Sequence, residues 1–353
     1  MTMTAKARLL QERSELMWAL RAQLRAFGSL EMSPPCVVAC PGMEPHLDAF
    51  EVVSKHSALS LSVEEREVAS RRRWLHTSPE HALKRLLGEG LSKVYALTPC
   101  FRDEPPSRTH NPEFTMLEWY ERGLSLEGLM RQCEVLISTL AERAWRLIEE
   151  RPEGLTQQDQ ARLHSLKKGD FERLSVREAF VRYAGVDLER AREAGALKRA
   201  ALDAGLSPRA LEGDLSWDEV YFQLFLDLVE PHLGRGRPTL LYDFPASQSA
   251  LARLKPGAPQ WALRFELFIE GLELANAFDE LSDPREQRAR FEAERAEREV
   301  MGVAQYPIDE ELLKALPRMG DCVGIAMGVE RLLMCLLGVD EISELISQPW
   351  AHP

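Results

Sequence analysis

The stretch from Val94 to Tyr120 constrains the fold of this 353-residue chain more than any other. Its first arm, Val94 to Glu104, begins as an apolar run, and its second arm, Phe114 to Tyr120, is rich in aromatic residues and alternates with a period of two. Three prolines between the arms cannot continue a central β-ladder, so residues 105–113 should form an ordered loop. The stretch therefore predicts two strands joined by a polar loop.

The loop and the strand ends gather groups that suit a nucleotide. The guanidinium of Arg102 can hold a phosphate, the ring of Phe114 can stack on a base, and amides of the loop can reach the base edge. An alternative from spacing alone is an ordinary antiparallel hairpin whose arginine pairs with a neighbouring glutamate.

Composition excludes several other classes of protein. A net charge of -12 argues against broad binding to nucleic acid, which needs clustered Lys and Arg, and the run Arg71 to Arg73 is expected to be a solvated loop. No apolar run reaches the ~20 residues of a membrane-spanning helix, and no apolar signal segment is present, so we expect a cytoplasmic protein. The six cysteines lack zinc-ligand spacing and are expected to be reduced core thiols.

Two segments before the hairpin carry weaker signals. An amphipathic helix is predicted from Ala7 to Phe27, and Gly28 ends it. The later run TSPE places Ser78 and Glu80 at the start of a helix, where the sequence alone favours a capping role.

The middle third contains no obvious chemistry. A long helix is predicted from Ser125 to Glu150, followed by a polar, flexible linker over Arg151 to Asp170 and by further helices. Nearer the C-terminus, Asp283 to Val300 is predicted to be a highly charged helix of alternating sign that forms a solvated surface element.

Strand patterns return beyond Pro238. With a two-residue turn at Glu270–Gly271, Phe268 lies opposite Glu273, and Glu266 lies on the same face two residues away. Two carboxylates on one face repel each other unless a cation lies between them, and hard oxygen ligands suit magnesium that also binds phosphates. The alternative is a pair of solvent-facing glutamates on an exposed strand.

The last segment with a recognisable pattern is the run GDCVGIAMGVERLLMCLLG. Gly324 and Gly328 precede a helix that is apolar nearly all round, which is typical of a core helix. Arg331 in its first turn is expected to be buried beside an anion.

Three segments resemble, in order, the signature motifs of class II aminoacyl-tRNA synthetases of the lysyl type. They are SLEMSPPCVVACPGMEPHLDAFEV with Pro35, FRDE followed by RTHNPEFTMLEWY, and GVER. The resemblance is closest to the truncated lysyl-type ligases that modify elongation factor P, because fewer than ten residues precede the first helix and Ala326 stands where the synthetases usually carry glycine.

The resemblance implies an α+β fold in which helices flank an antiparallel sheet. It implies one catalytic domain over residues 1–353 with a helical insertion at about 122–237, no anticodon-binding domain, and a homodimer. It also implies ATP and Mg²⁺ as cofactors. Lysine or (R)-β-lysine would be activated as an aminoacyl-adenylate with release of pyrophosphate, and a lysine side chain of elongation factor P, the partner, would take the acyl group and release AMP.

The same resemblance implies roles for particular residues. Arg102 and Arg331 are expected to be catalytic, the first at the α-phosphate and the second against the adenine opposite Phe114. The nucleotide site is expected to comprise Arg102, Asp103, Glu104, His110, Asn111, Phe114, Glu273, Leu274, Gly328 and Arg331. The amino-acid site is expected to comprise Ser78, Pro79, Glu80, Tyr120, Asn276 and Glu280. Magnesium is expected at Glu266 and Glu273.

Some alternatives stay open at this point. Ala277 stands where glycine is common in the family, which leaves the exact amino acid undecided. Two other functions compete: a lysyl-type adenylating enzyme with a tRNA or small-amine acceptor, and an inactive paralogue that serves as a binding or regulatory module.

Overall fold

The computed structural model describes residues 3–53, 72–151 and 154–350. Most of the predicted charged connection from Leu61 to Arg73 lies outside these residues. The chain divides into two compact units. Unit 1 comprises Met1–Leu124, Leu281–Met334 and Gly338–Pro353, and unit 2 comprises Ser125–Glu280 and Cys335–Leu337.

The secondary-structure elements are numbered here along the chain. The strands are β1 (Leu30–Met32), β2 (Val37–Val38), β3 (Glu51–Val52), β4 (Arg73–Leu75), β5 (Lys93–Phe101), β6 (Glu113–Arg122), β7 (Glu172–Ser175), β8 (Thr239–Pro245), β9 (Trp261–Ile269), β10 (Leu272–Asp279) and β11 (Cys322–Gly328). The α-helices are α1 (Ala5–Ala26), α2 (Glu80–Gly88), α3 (Leu126–Glu149), α4 (Gln157–Lys168), α5 (Val176–Ala179), α6 (Ala194–Asp203), α7 (Trp217–Leu224), α8 (Pro284–Met301), α9 (Glu310–Met319) and α10 (Val329–Leu337).

Unit 1 is built on a sheet with the strand order β1-β5-β6-β11. The predicted hairpin is confirmed: β5 and β6 are antiparallel, with Cys100 opposite Phe114. The first arm is shorter than expected, because β5 ends at Phe101 and leaves Arg102 and Glu104 in the loop. On its other side β6 pairs with β11, where Gly328 lies opposite Met116. The start of α10 is thereby fixed next to the aromatic arm.

Helix α1 confirms the predicted amphipathic helix within two residues at its start. Leu16, Leu20 and Leu24 are buried, as the stripe requires, and Thr4 caps the helix by accepting from the N–H of Ala7 at 3.2 Å. The six cysteines are free thiols, and four of them are buried as expected, whereas Cys36 and Cys40 are only partly buried. No helix in the described ranges is long and apolar enough to cross a membrane.

Unit 2 contains a sheet with the order β10-β9-β8-β7. The predicted register is confirmed where the β9–β10 hairpin turns, since Glu273 lies opposite Phe268. The register then shifts between Glu273 and Ala275, so that Asn276 lies opposite Glu266. One extra residue at this bulge brings Asn276 to the face that carries both glutamates, although Asn276 is three positions from Glu273.

The helical part of unit 2 contains one correction. Helix α3 matches the long helix predicted from Ser125, but the linker predicted over Arg151 to Asp170 is wrong for Gln157–Lys168, which form α4. Thr156 and Asp159 make a capping box at its start: each side chain accepts from the other residue's backbone N–H. Further along the chain, an apolar core of unit 2 contains stacked aromatic rings. The ring centroids of Phe180 and Tyr221 in this core are 5.0 Å apart.

Helix α8 confirms the predicted charged surface helix. One of its charged residues is nevertheless buried, because the side chain of Arg298 is 0% exposed. Its guanidinium donates to the carbonyl oxygens of Ala304 and Leu47 at 2.8 and 2.9 Å and to Asp48 Oδ1 at 2.7 Å. It also lies 4.4 Å from the ring centroid of Tyr306. Arg298 therefore holds the loop around Leu47 inside unit 1.

We expect Arg298→Met to lower the free energy of unfolding by about 2–4 kcal/mol, because the carbonyls and the carboxylate around it lose their donors. Arg295→Met, at an exposed position of the same helix, is the matched control and should change little. Urea titration of both variants measures the difference. Equal stability of the two variants would contradict the role given to Arg298.

Candidate functional site

Arg102 lies just beyond β5 with its guanidinium carbon 5.2 Å from the ring centroid of Phe114. Its Nε atom is buried and has no hydrogen-bond partner among the residues that the structure describes. The competing interpretation, in which Arg102 pairs with a neighbouring glutamate, is not observed in these ranges. A guanidinium with an open N–H beside an aromatic face suits an anionic group attached to a planar ring system.

Arg331 is bound to the loop that follows Arg102. Its Nε donates to the carbonyl oxygen of Thr109 at 3.3 Å, and its Nη2 donates to Nε2 of His110. A guanidinium has no acceptor, so Nε2 must accept and Nδ1 carries the proton, 2.8 Å from Ser107 Oγ. Burial, and then Arg331, lower the pKa of His110, which is consistent with a neutral ring. Arg331 is partly exposed, which corrects the expectation that it is buried.

Asn111 is held at both ends of its amide. Its Nδ2 donates to the carbonyl oxygen of Glu113 at 2.6 Å, and its Oδ1 accepts from the backbone N–H of Trp350 at 3.2 Å. The ring of Trp350 packs against Phe50 with centroids 6.0 Å apart. These two bonds use one N–H of Nδ2 and one lone pair of Oδ1, so the amide keeps a second donor and a second acceptor position.

Glu330, next to Arg331, is a residue to which the sequence analysis gave no role. It is 3% exposed, and it accepts from Arg13 Nη2 at 2.9 Å and from the backbone N–H and hydroxyl of Thr115 at 2.8 and 2.7 Å. These bonds fasten the start of α10 to β6 beside Phe114. The signal was a lone carboxylate in an otherwise apolar helix, which must be paired if it is buried.

A second group in unit 1 surrounds Glu118. The carboxylate of Glu118 accepts from Ser78 Oγ at 2.6 Å and from Tyr120 Oη at 3.0 Å. The Ser78 hydroxyl also accepts from the backbone N–H of Glu80 at 3.0 Å, but the N-cap residue of α2 is Pro79 and the helix has no side-chain cap, so the capping role expected from the sequence is not observed. Glu80 in turn is bonded to Lys84, which is buried. These contacts bring Ser78, Glu80 and Tyr120 into one hydrogen-bonded group.

Glu118 itself was assigned no function from the sequence. It is 1% exposed, and burial, followed by the nearby charge of Glu80, raises its pKa to about 8. The signal lay in the run FTMLEWY, where strand alternation places a carboxylate among aromatic and apolar residues. A buried carboxyl of this kind is suited to receiving a cationic ligand.

In unit 2 the two predicted metal ligands lie on one face of the β9–β10 hairpin. Burial raises the pKa of Glu266 to about 8, while Arg264 lowers it and Glu273 raises it further. Since Glu266 is buried, the alternative of two solvent-facing glutamates is wrong for this residue, whereas Glu273 is partly exposed. In the described ranges no cluster of three or more His, Cys, Asp or Glu is suited to a metal.

Asn276 and Arg264 are joined on the same face of β9 and β10. Arg264 Nε donates to Asn276 Oδ1 at 3.0 Å, and Arg264 Nη2 donates to Glu266. The sequence analysis missed Arg264. Its signal was of the same kind as that of Glu118, because both are charged residues within an apolar run, which is ALRFELF for Arg264.

The remaining residues that were predicted to form the site are located by their backbone contacts and by the elements next to them. Asp103 donates its N–H to the carbonyl oxygen of Asp48 at 2.8 Å, and Glu104 follows it in the loop. Pro79 directly precedes α2, and Gly328 directly precedes α10. The other two residues, Leu274 and Glu280, are both buried in unit 2, Leu274 at the bulge and Glu280 in a bridge to Ala252.

Comparison with known proteins identifies the class. The family described as tRNA synthetases class II (D, K and N) matches residues 2–351, so the chain belongs to this family and has its α+β fold. Curated relatives then point to a particular branch. The chain is 36% identical to a protein of Vibrio cholerae, over 98% of this chain and 97% of that protein, and 38% identical to one of Klebsiella pneumoniae, over 93% and 92%. Both relatives are named "Elongation factor P--(R)-beta-lysine ligase".

The raised pKa of Glu118 predicts a pH-dependent stability. The folded protein keeps the Glu118 proton up to about pH 8, whereas the unfolded chain releases it near its ordinary value of 4.5. The stability of the wild type relative to Glu118→Gln should therefore fall as the pH rises between these values, by up to ~1.4 kcal/mol per pH unit. Unfolding of both proteins across this range measures the difference.

Glu113→Gln, at an exposed position of the same strand, serves as the control for this measurement. The stability difference between wild type and Glu113→Gln should vary much less with pH. A stability difference for Glu118→Gln that does not change with pH would show that Glu118 ionises normally.

Proposed function

We propose that this protein is an ATP-dependent ligase that activates (R)-β-lysine or lysine as an aminoacyl-adenylate and transfers it to a lysine side-chain amine of elongation factor P. The observation that carries the proposal is the guanidinium of Arg102, which has an open, buried N–H beside Phe114. The names of two relatives that match over nearly the whole chain support the choice of amino acid and acceptor.

In the activation step, the carboxylate of the amino acid attacks the α-phosphate of ATP and pyrophosphate leaves. Arg102 holds the α-phosphate while negative charge develops there, which is the electrostatic stabilisation that lowers such a barrier most. Phe114 stacks on one face of the adenine, and Arg331 takes the other face once it leaves its bond to His110. Asp103, Glu104, His110, Asn111 and Gly328 complete the nucleotide site in unit 1.

The amino acid is held through its ammonium groups. In unit 1, Tyr120 and the buried carboxyl of Glu118 receive one ammonium group, and Ser78, Pro79 and Glu80 position the amino group near the reacting end. A cation brought to Glu118 favours its ionised form, so that binding is accompanied by proton release near neutral pH.

Residues of unit 2 are proposed to have roles of their own. Asn276 positions the reacting end of the amino acid, and Glu280 is a buried carboxylate for the distal ammonium.

Glu266 and Glu273 fit a magnesium ion. Both are carboxylates on one face of a hairpin, and Glu273 raises the pKa of Glu266, a repulsion that a cation between them would relieve. Two carboxylates suit an ion that takes its other ligands from phosphates and water. When bound, magnesium supplies neutralisation of phosphate charge.

Pyrophosphate exchange tests the activation step. The purified protein should exchange labelled pyrophosphate into ATP most strongly with (R)-β-lysine, and Arg102→Ala should reduce the rate about 10²–10³-fold, as expected when a charge-stabilising donor is lost. Arg131→Ala, an exposed arginine on α3, is the control. Exchange with another amino acid alone would overturn the substrate, and no exchange with any amino acid would overturn the activity.

An assay of transfer of the labelled amino acid identifies the acceptor. Labelled (R)-β-lysine should become attached to elongation factor P in the presence of ATP, and not to a variant in which its acceptor lysine is replaced by arginine. Charging of tRNA, or acylation of free amines, without transfer to elongation factor P would establish the competing function.

We also propose that the protein acts as a homodimer. Two large apolar side chains near its first motif are exposed, Trp18 at 68% and Leu30 at 52%, and Leu30 lies on β1, an edge strand of the sheet in unit 1. Exposed aromatic and aliphatic side chains of this kind are typical of an interface between subunits.

Trp18→Glu should shift the protein from dimer to monomer, because a buried, unpaired carboxylate at an interface costs several kcal/mol. Analytical ultracentrifugation over a range of concentrations measures the shift. Val300→Glu, at another exposed apolar position, should leave the assembly unchanged. A wild type that is monomeric at all concentrations would contradict the proposal.

A further inference from the structure

Arg264 uses every edge of its guanidinium inside unit 2. Nε donates to Asn276 Oδ1 at 3.0 Å, Nη1 donates to the carbonyl oxygen of Gln248 at 2.6 Å, and Nη2 donates to Glu266. Its side chain is 14% exposed. With its donors directed to protein acceptors on three sides, Arg264 is built to hold other residues in place and not to bind a ligand itself.

Two aromatic rings fix the plane of this guanidinium. Its central carbon lies 4.4 Å from the ring centroid of Phe244 and 5.7 Å from that of Phe278. Phe278 is the residue opposite Arg264 in the β9–β10 ladder. Cation–π contacts and the three hydrogen bonds together leave the side chain one orientation.

That orientation determines which end of the Asn276 amide is presented outward. A guanidinium can only donate, so the oxygen of Asn276 must face Arg264. The Nδ2 group then points away, and it has no hydrogen-bond partner in the part of the chain that the structure describes. Asn276 is partly exposed, so its Nδ2 remains available as a donor to an oxygen atom of a ligand.

We propose that Arg264 is a positioning residue that locks the Asn276 amide as a hydrogen-bond donor to the carboxylate oxygen of the amino-acid substrate. The inference rests on the proposed function and adds a residue to it. Without Arg264 the amide can rotate by half a turn and present its oxygen, which repels a carboxylate. The amino acid would then bind more weakly, whereas the nucleotide would be affected less.

Lysine cannot replace Arg264 in this role. A lysine ammonium is a single point charge on a flexible stem and cannot direct one donor at Asn276 while meeting Glu266 and the Gln248 carbonyl. Arg264→Lys therefore keeps the positive charge but removes the directed hydrogen-bond donors of the guanidinium. This variant separates a positioning role from a simple electrostatic effect.

The experiment is a double-mutant cycle on pyrophosphate exchange with Arg264→Lys, Asn276→Ala and the double variant. We expect each single variant to raise KM for (R)-β-lysine about 10–100-fold, the range seen when supporting residues are lost, with a smaller change in KM for ATP. The double variant should be no worse than Asn276→Ala, because Arg264 acts through Asn276. Arg235→Lys, an exposed arginine paired with Glu270 at the turn of this hairpin, should behave as the wild type.

Calorimetric binding of (R)-β-lysine and of lysine, without ATP, provides a readout that does not require turnover. Loss of affinity in Arg264→Lys with an unchanged Tm supports positioning. Additive effects in the cycle, or equal rises in both KM values, overturn it. Failure of the proposed function appears differently, as a wild type that exchanges pyrophosphate with no amino acid, and failure of the proposed substrate appears as a wild type that exchanges it only with an amino acid other than (R)-β-lysine or lysine. In that case the cycle is repeated by calorimetry with the amino acid that the wild type does activate, and independence of the two variants again refutes the inference.

Discussion

Charge that is buried in this protein is met by hydrogen bonds from segments far apart in the sequence. Arg298 is bonded to Asp48, 250 positions away, and Arg13 is bonded to Glu330, 317 positions away. An uncompensated charge in the interior costs several kcal/mol, so each of these groups can be buried only if its distant partners are in place. The loop that carries Asp103 and the start of α10 are thereby fixed by the same requirement. The geometry of the proposed nucleotide site depends on it.

Hydrogen bonds compensate only part of the cost of burying the carboxyl groups that are proposed to bind cations. Burial is the largest cause of the raised pKa at both Glu118 and Glu266, and in each case a second carboxylate adds to it. Hydrogen bonds from Ser78 and Tyr120, or from Arg264, only partly offset that effect. A cationic ligand would supply the remaining charge compensation. Buried carboxyl groups that lack full compensation are more typical of binding sites than of structural ion pairs.

The sequence was sufficient for several features that follow from a short-range rule. Period-two alternation and the prolines located the β5–β6 hairpin, and a two-residue turn placed Glu273 opposite Phe268. The three motifs identified the family, which the match over residues 2–351 confirms. None of these inferences required knowledge of a distant contact.

The failures had two physical causes. The face on which Asn276 lies depends on a bulge between Glu273 and Ala275, which simple alternation along the strand does not predict. The burial of Arg298 depends on a loop some 250 positions earlier, which the periodicity of a charged helix cannot reveal. The helix α4 is a different case, because its signal, Thr156 with Asp159, was present and was outweighed by polar composition.

The pairing of β11 with β6 has a consequence for how the chain acquires its structure. Gly328 must find Met116 across more than half of the sequence, whereas unit 2 is almost continuous, from Ser125 to Glu280. Local contacts form faster than distant ones, and domains fold during synthesis as their residues emerge. Unit 2 can thus assemble on the ribosome while β6 still lacks a neighbour on one side. The sheet that supports Phe114 and Arg331 gains β11 only after residues 322–328 have been made, so the nascent chain cannot form the proposed nucleotide site before then.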